Sequence, residues 1–212
     1  MNNKYKLNFI RGPINALFFR TLDNYMHSLF GASKKALFSD HPDTLVEIGP
    51  GTGANMRYLR RGTKLIAIEP NVHMHASLIK SAKKHNIHLE IISDVGEDIN
   101  LPESAYQMVI CTLVLCTVSN PEKCISEIKR ILKPSGKFIF IEHVTAKDSR
   151  ILAALQKAIH KPWHWFFEGC NLSRDTKSIL EASGFSKVGI EEYNLKSPFI
   201  PIMPQIKGYA TK

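Results

Sequence analysis

No run of the 212-residue chain approaches the roughly 20 consecutive apolar residues that a membrane-spanning helix requires. The longest candidate, Ala105 to Val118, is too short and carries polar residues. Cysteine is scarce, with four residues (Cys111, Cys116, Cys124 and Cys170), no CxxC pair, and no secretory leader read ahead of them. A disulfide framework is therefore excluded, and a reducing, cytoplasmic setting is expected. Cys111 and Cys116 lie in an apolar run where a small hydrophobe serves, so they are expected as buried thiols and not as ligands. The His, Cys, Asp and Glu residues show no metal-binding spacing, and no metal is expected. Internal repeats and low-complexity tracts are also missing. With 44% apolar and 22% charged residues, what remains is an ordinary folded domain with room for a full sheet.

Lys and Arg number 28 against 19 Asp and Glu, a net charge of +9 whose field attracts anions. The basic residues fall in short clusters (Lys34-Lys35, Arg60-Arg61, Lys83-Lys84, Lys129-Arg130) placed on exposed helix faces, which reads as a solvated surface. Near the N-terminus Ile14, Leu17, Phe18, Leu22, Tyr25, Met26 and Leu29 recur at steps of three and four, with Pro13 suited to a first turn. This predicts an amphipathic helix. Lys4, Lys6, Arg11 and Arg20 flank or interrupt it, so it is either a lid on the domain or a peripheral contact with an anionic membrane.

From residue 44 short apolar runs alternate with helical segments, the rhythm of a parallel sheet with crossover helices. Strands are expected at Thr44 to Ile48, Lys64 to Ile68, His88 to Ile92, Ala105 to Cys111 and Gly136 to Ile141. Helices are expected at Ala54 to Arg61, Val72 to Lys84 and Pro121 to Leu132, the last opened by Ser119-Asn120 and closed by Lys133 to Gly136. After residue 145 come a helix from about Lys147 to His160, an aromatic segment Pro162 to Phe167, and a helix Arg174 to Ala182 with Ser173 as N-cap and Gly184 as stop. Two last strands, Lys187 to Tyr193 and Ile206 to Thr211, have no crossover helix between them and imply an antiparallel hairpin. The organisation expected is a helical lid over residues 1–35 and one α/β domain over 36–212.

Glu47-Ile48-Gly49-Pro50-Gly51-Thr52-Gly53 follows the first strand. Glycines there let a ligand approach the backbone at the start of a helix. The spacing is G-x-G-x-G, unlike dinucleotide folds, and Glu47 suits the ammonium of a methionine moiety while repelling a pyrophosphate. Glu69 ends the next strand 20 residues after Gly49 (69 − 49), where a carboxylate accepts ribose hydroxyls. Asp94-Val95-Gly96-Glu97 follows the third strand, at the height of an adenine edge. Asn55, after the loop, and Pro70, after Glu69, complete this group.

The chain resembles the class I S-adenosylmethionine-dependent methyltransferases. Val46 to Asn55, Cys111 to Val118, Glu142-His143-Val144 and Trp163 to Leu172 narrow the likeness to the thiol S-methyltransferases of the methyltransferase-like seven group. The resemblance implies a Rossmann-like, mostly parallel seven-stranded sheet with an antiparallel terminal hairpin and helices on both faces. It implies cofactor roles for Glu47, Gly49, Gly51, Gly53, Glu69 and Thr112, and methylation of small lipophilic thiols. The animal members begin with a hydrophobic anchor, in whose place this chain has the amphipathic helix.

Methyl transfer needs an acceptor held in line and water removed, and no covalent nucleophile. His143, at the carboxyl end of the fifth strand, is the first candidate for a base or acceptor-orienting group, and His164, among Trp163, Trp165, Phe166 and Phe167, the second. Alternatives of the same class are a quinone or phospholipid methyltransferase. Those of another class are a non-catalytic cofactor-binding scaffold and an NAD-dependent oxidoreductase, the latter disfavoured by the glycine spacing. Nucleic-acid methylation is disfavoured because Cys111-Thr112-Leu113-Val114 stands where a D/N-P-P-Y segment is expected. The oligomeric state is not readable.

Overall fold

Each strand expected from residue 44 onward is found in one sheet in the computed structural model, which describes residues 9–212. In chain order the elements are α1 (Arg11–Leu37), β1 (Thr44–Ile48), β2 (Lys64–Ile68), α2 (Val72–His85), β3 (His88–Ile92), β4 (Tyr106–Thr112), α3 (Pro121–Ile131) and β5 (Leu132–His143). There follow α4 (Arg150–Ala158), α5 (His160–Phe166), α6 (Thr176–Glu181), β6 (Lys187–Asn194) and β7 (Pro204–Thr211). The spatial order is β3-β2-β1-β4-β5-β7-β6. The first five strands are parallel, and β7 runs antiparallel to both β5 and β6. The expected α/β architecture and terminal hairpin are present.

Alternation along the strands sends side chains to two cores. Val46, Ile48, Val109, Cys111, Phe138 and Phe140 pack with Cys124, Ile125 and Ile128 of α3 and Leu180 of α6. Leu45, Met108, Ile110 and Ile139 pack on the other face with Phe38, Leu78 and Ala82. The chain direction reverses its winding between β1 and β4, which opens a crevice at their carboxyl ends, the place where such sheets bind ligands.

Four expectations are corrected. The helix over Ala54 to Arg61 is only a single 3-10 turn, Met56–Tyr58. Gly49, Gly51, Gly53 and Gly62 all have positive φ, so the segment is a chain of turns bounded by another. The helix after residue 173 is shorter, with Asp175 and not Ser173 as N-cap, its carboxylate taking the Ser178 N–H. Arg174 lies outside it, its guanidinium bonding the carbonyls of Leu115 and Val118. β5 starts at Leu132, which pairs with Tyr106; the expected loop Lys133 to Gly136 survives as a bulge before pairing resumes at Lys137. Last, Lys34 is not on an exposed helix face but buried, one turn after Phe30 on the side of α1 that meets the sheet. Lys4 and Lys6 lie outside the described residues, while α1 itself crosses residue 35 without a break.

Candidate active site

Two hydrogen-bond networks flank the crevice. In the first, Glu47 Oε1 accepts from Asn55 Nδ2 at 2.6 Å, and the same nitrogen donates to Thr112 Oγ1 at 2.9 Å, joining β1, the glycine turns and the end of β4. Glu47 Oε2 and Asn55 Oδ1 are buried without a partner. Two buried acceptors without partners are expensive, the pattern of a site that receives a donor-bearing ligand. Burial pushes the Glu47 carboxyl up to about 7, with Asn55 and Lys34 pulling the other way. Lys34 itself is lowered to about 8 by burial, partly opposed by the charge of Glu47.

In the second network Glu69 is spoken for at both oxygens. Oε2 accepts from Gly51 N at 2.8 Å and Oε1 from Asn71 N at 2.9 Å. The end of β2 thus holds the glycine turns in place. Burial raises this carboxyl to about 7 as well, against the two backbone donors. The loop's own N–H groups are largely committed, Gly49 N to Ile68 O and Gly53 N to Pro50 O. With only a 3-10 turn beyond, the helix dipole contributes little here and the two carboxylates carry the polarity.

A pH dependence follows. A carboxyl raised from 4.5 to about 7 in the free protein must lose its proton to meet an ammonium or hydroxyl donors. Its stabilising contribution to the fold is full below the unfolded pKa and is lost as pH rises through the folded one. Ligand binding therefore expels protons below about pH 7, and affinity for S-adenosylhomocysteine should strengthen roughly ten- to a hundredfold between about pH 6 and about pH 8. Calorimetry in buffers of different ionisation enthalpy reads the released protons directly; a flat profile would contradict both assignments.

Space at Gly51 is open. A Cβ there, at φ +57, meets nothing within 4 Å, whereas one at Gly49 would strike Val114 Cγ2 at 2.5 Å and one at Gly53 would strike Ser81. Gly51→Val should fold with a strain of about 1–2 kcal/mol but obstruct the ligand. In a thermal melt its midpoint should stay within a few degrees of the parent while the shift caused by S-adenosylhomocysteine disappears. An undiminished shift would place the ligand elsewhere.

Of the third-strand group, Asp94 accepts from Asn100 N at 3.1 Å, and Glu97 takes the Ser119 and Asn120 N–H groups at 2.7 and 3.2 Å at the entrance to α3. Gly96 is buried against Cys124 and Ile48, where a Cβ would lie 2.8 Å from Cys124 Sγ. Val95 pairs with Asp98 in an isolated bridge. Pro70 is half-buried between Glu69 and Asn71.

The loop after β4 is organised by a residue that the sequence marks only as part of a motif. Glu142, fully buried, accepts from Val114 N at 2.9 Å, Leu115 N at 3.0 Å and Cys116 N at 3.3 Å. It holds Leu113 at φ +59, a left-handed backbone unusual for leucine. Beside it, His143 is 2% exposed. Its Nε2 stands 3.0 Å from Cys170 Sγ, its Nδ1 is buried without a partner, and Cys170 Sγ is 3.7 Å from Cys116 Sγ. His164 is exposed on α5, its ring 5.4 Å from that of His160 and its carbonyl bonded to Gly169 N.

Two helices roof the crevice. Phe18 of α1 meets Phe166 and Phe167 edge-on at 5.4 and 5.5 Å, and Trp163 lies 4.4 Å from Phe167. Asn15, fully buried, donates to Phe166 O at 2.6 Å, and Asn71 Nδ2 reaches Glu168 at 3.2 Å. The roof is thereby tied to the residue that caps α2 and also bonds Glu69. A surface cleft of about 450 Å³ between α3 and α6, lined by Glu122, Lys129 and Ser178, contains none of these residues.

A methyltransferase-domain family matches residues 46–140. The human thiol S-methyltransferase TMT1A is 35% identical over 193 residues, covering 85% of this chain and 79% of that one. The rat thiol S-methyltransferase TMT1B is 32% identical and covers 96% and 85%. Among solved structures, a SAM-dependent methyltransferase from Aquifex aeolicus superposes with a TM-score of 0.64 at 17% identity, covering 94% of this chain and 97% of that one.

Proposed function

The chain belongs to the thiol S-methyltransferase family of class I S-adenosylmethionine-dependent methyltransferases, and from that premise we propose that it methylates the sulfur of a small, lipophilic thiol. The observation that carries the choice of a small apolar acceptor is the aromatic roof: Phe18, Trp163, Phe166 and Phe167 pack on one another, and Trp163 Nε1 donates to Cys170 Sγ, itself 3.0 Å from His143 Nε2 at the end of β5. An apolar molecule gains from burial beside such a cluster. The relatives' names supply the thiol.

When bound, S-adenosylmethionine supplies an electrophilic methyl group on a sulfonium. Glu47 and Asn55 receive its ammonium, Glu69 its ribose, and the segment Asp94 to Glu97 borders its base. The roof excludes water, so the nucleophile arrives poorly solvated. His143 handles the acceptor, orienting its sulfur. His164 stands at the rim as the weaker candidate. Labelled cofactor offered with an alkyl thiol, a quinol precursor and phosphatidylethanolamine tests the reading; label in the thioether alone is expected, and label in either other product overturns it.

A lipid surface suits the roof's outer side. Phe9, Ile10, Ile14 and Leu17 of the α1 end are exposed, as is Trp165 on α5, whose carbonyl accepts from Arg11 Nη1 at 3.1 Å, with Lys161 one turn before it. Such a face, apolar and edged with cations, matches peripheral contact with anionic membrane. Ile14→Glu with Leu17→Glu should abolish co-sedimentation with phosphatidylserine vesicles while turnover of a water-soluble thiol is retained. Undiminished sedimentation would assign the helix to the lid role alone.

A further inference from the structure

Cys116, His143 and Cys170 come from three different segments, yet their ligand atoms lie within 4.8 Å of one another, all buried. Among the described residues they are the one group of three ligand-type side chains close enough to share an ion. We propose that they form a soft-metal site of the Cys₂His type, suited to zinc, whose fourth position takes the sulfur of the acceptor thiol. The second half rests on the thiol reading above; the first does not.

Geometry and charge both support it. Zinc–sulfur bonds of about 2.3 Å at a tetrahedral centre put two sulfurs about 3.8 Å apart, and a nitrogen and a sulfur about 3.5 Å apart. The sulfurs of Cys116 and Cys170 stand at 3.7 Å. The His143–Cys170 pair, at 3.0 Å, needs to open by about half an ångström. Two thiolates and a neutral imidazole cancel a dication, which removes the cost of burying this group. Trp163 Nε1 donates to Cys170 Sγ at 3.2 Å, an outer hydrogen bond of the kind that steadies a metal-bound sulfur. The backbone is built to bring the sulfurs together. Glu168 and Gly169 both have positive φ, and Asn171 N bonds Cys116 O at 2.8 Å.

Three protein ligands leave one position open, the pattern of a working metal site. An acceptor thiol entering it gives its S–H proton to solvent, because a coordinating thiol is deprotonated outright. The sulfur lone pair then forms the new S–CH₃ bond as the sulfonium's C–S bond breaks, leaving a neutral thioether and S-adenosylhomocysteine. In this arrangement His143 is a ligand and no base is needed.

The reduced full-length protein, stripped with chelator, is titrated with Zn²⁺ against a chromophoric chelator and separately with Co²⁺. About one equivalent should bind, with a sulfur-to-cobalt charge-transfer band that Cys116→Ala and Cys170→Ala abolish and Cys124→Ala keeps. An alkyl thiol, but not the matching alcohol, should shift the visible cobalt bands. Zinc X-ray absorption on the parent needs no variant and should count at least two sulfurs near about 2.3 Å. Absence of stoichiometric uptake, an oxygen and nitrogen shell alone, or cobalt bands indifferent to saturating thiol would each overturn the proposal. A metal-loaded protein whose bands respond to thiol but which yields no thioether would instead refute the proposed function and leave the metal site standing.

Discussion

Glu47→Gln should make the ligand-free protein more stable and weaken S-adenosylmethionine binding by about two orders of magnitude. The two effects share one cause. Glu47 is 1% exposed, one of its oxygens has no partner, and its carboxyl is raised to about 7. Ionising it inside the protein near neutral pH costs on the order of 1–3 kcal/mol relative to the unfolded chain. An amide keeps the shape and the acceptor for Asn55 while removing that cost. The sign is set by pH: a raised carboxyl is harmless below its ordinary 4.5 and most costly above about 7, so the gain should be absent in acid and full above neutrality. Thermal melts across that range measure it, at roughly 2–4 °C per kcal/mol for a chain of this size. Binding moves the other way, because the amide offers no charge to an ammonium in a desolvated site. A variant that is more stable yet keeps its affinity would move the ammonium site away from Glu47.

The same tension between folding and function marks which parts of the molecule were legible in the sequence. Strands with both faces buried are continuous apolar runs, so β1 and β2 were placed to the residue and β4 within one, while the less buried edge strand β3 was marked by Leu89, Ile91 and Ile92. Glu47 and Glu69 stood out because a carboxylate ending such a run conflicts with burial unless a ligand needs it. Local pattern failed where the deciding contact was distant. Lys34 reads as one more surface lysine until the Phe30–Lys34 spacing is set against the sheet that α1 covers. Helical composition after Gly53 is overridden by Asn55, whose side chain is turned to Glu47 and Thr112. The Cys116–His143–Cys170 cluster has no sequence spacing at all, since its members are 27 and 54 positions apart along the chain. Only the fold brings them into contact.

Glu142→Ala should be the most damaging single change near the site, lowering stability by about 3–5 kcal/mol and the thermal midpoint by about 10 °C. Its carboxylate is the sole side-chain acceptor recorded for the N–H groups of Val114, Leu115 and Cys116. Burial raises its pKa while those donors oppose the shift, so the charge is desolvated but bound on three sides. Alanine leaves three buried donors unanswered and removes the anchor that keeps Leu113 at φ +59. The strained turn should then relax, carrying Thr112 away from Asn55 and Val114 away from Gly49, which it touches closely enough to exclude any side chain there. Glu142→Gln, which can still accept from Val114 and Leu115 but turns an NH₂ toward Cys116, should fall between parent and alanine variant. Urea unfolding gives the energies, and hydrogen exchange over residues 112–118 locates the loosening. Because Glu142 bonds the backbone of the loop, methyl-transfer rate and cofactor affinity in the glutamine variant should decline together with exchange protection of that segment. If activity fell while the segment stayed protected, Glu142 would belong to the chemistry and not to its support.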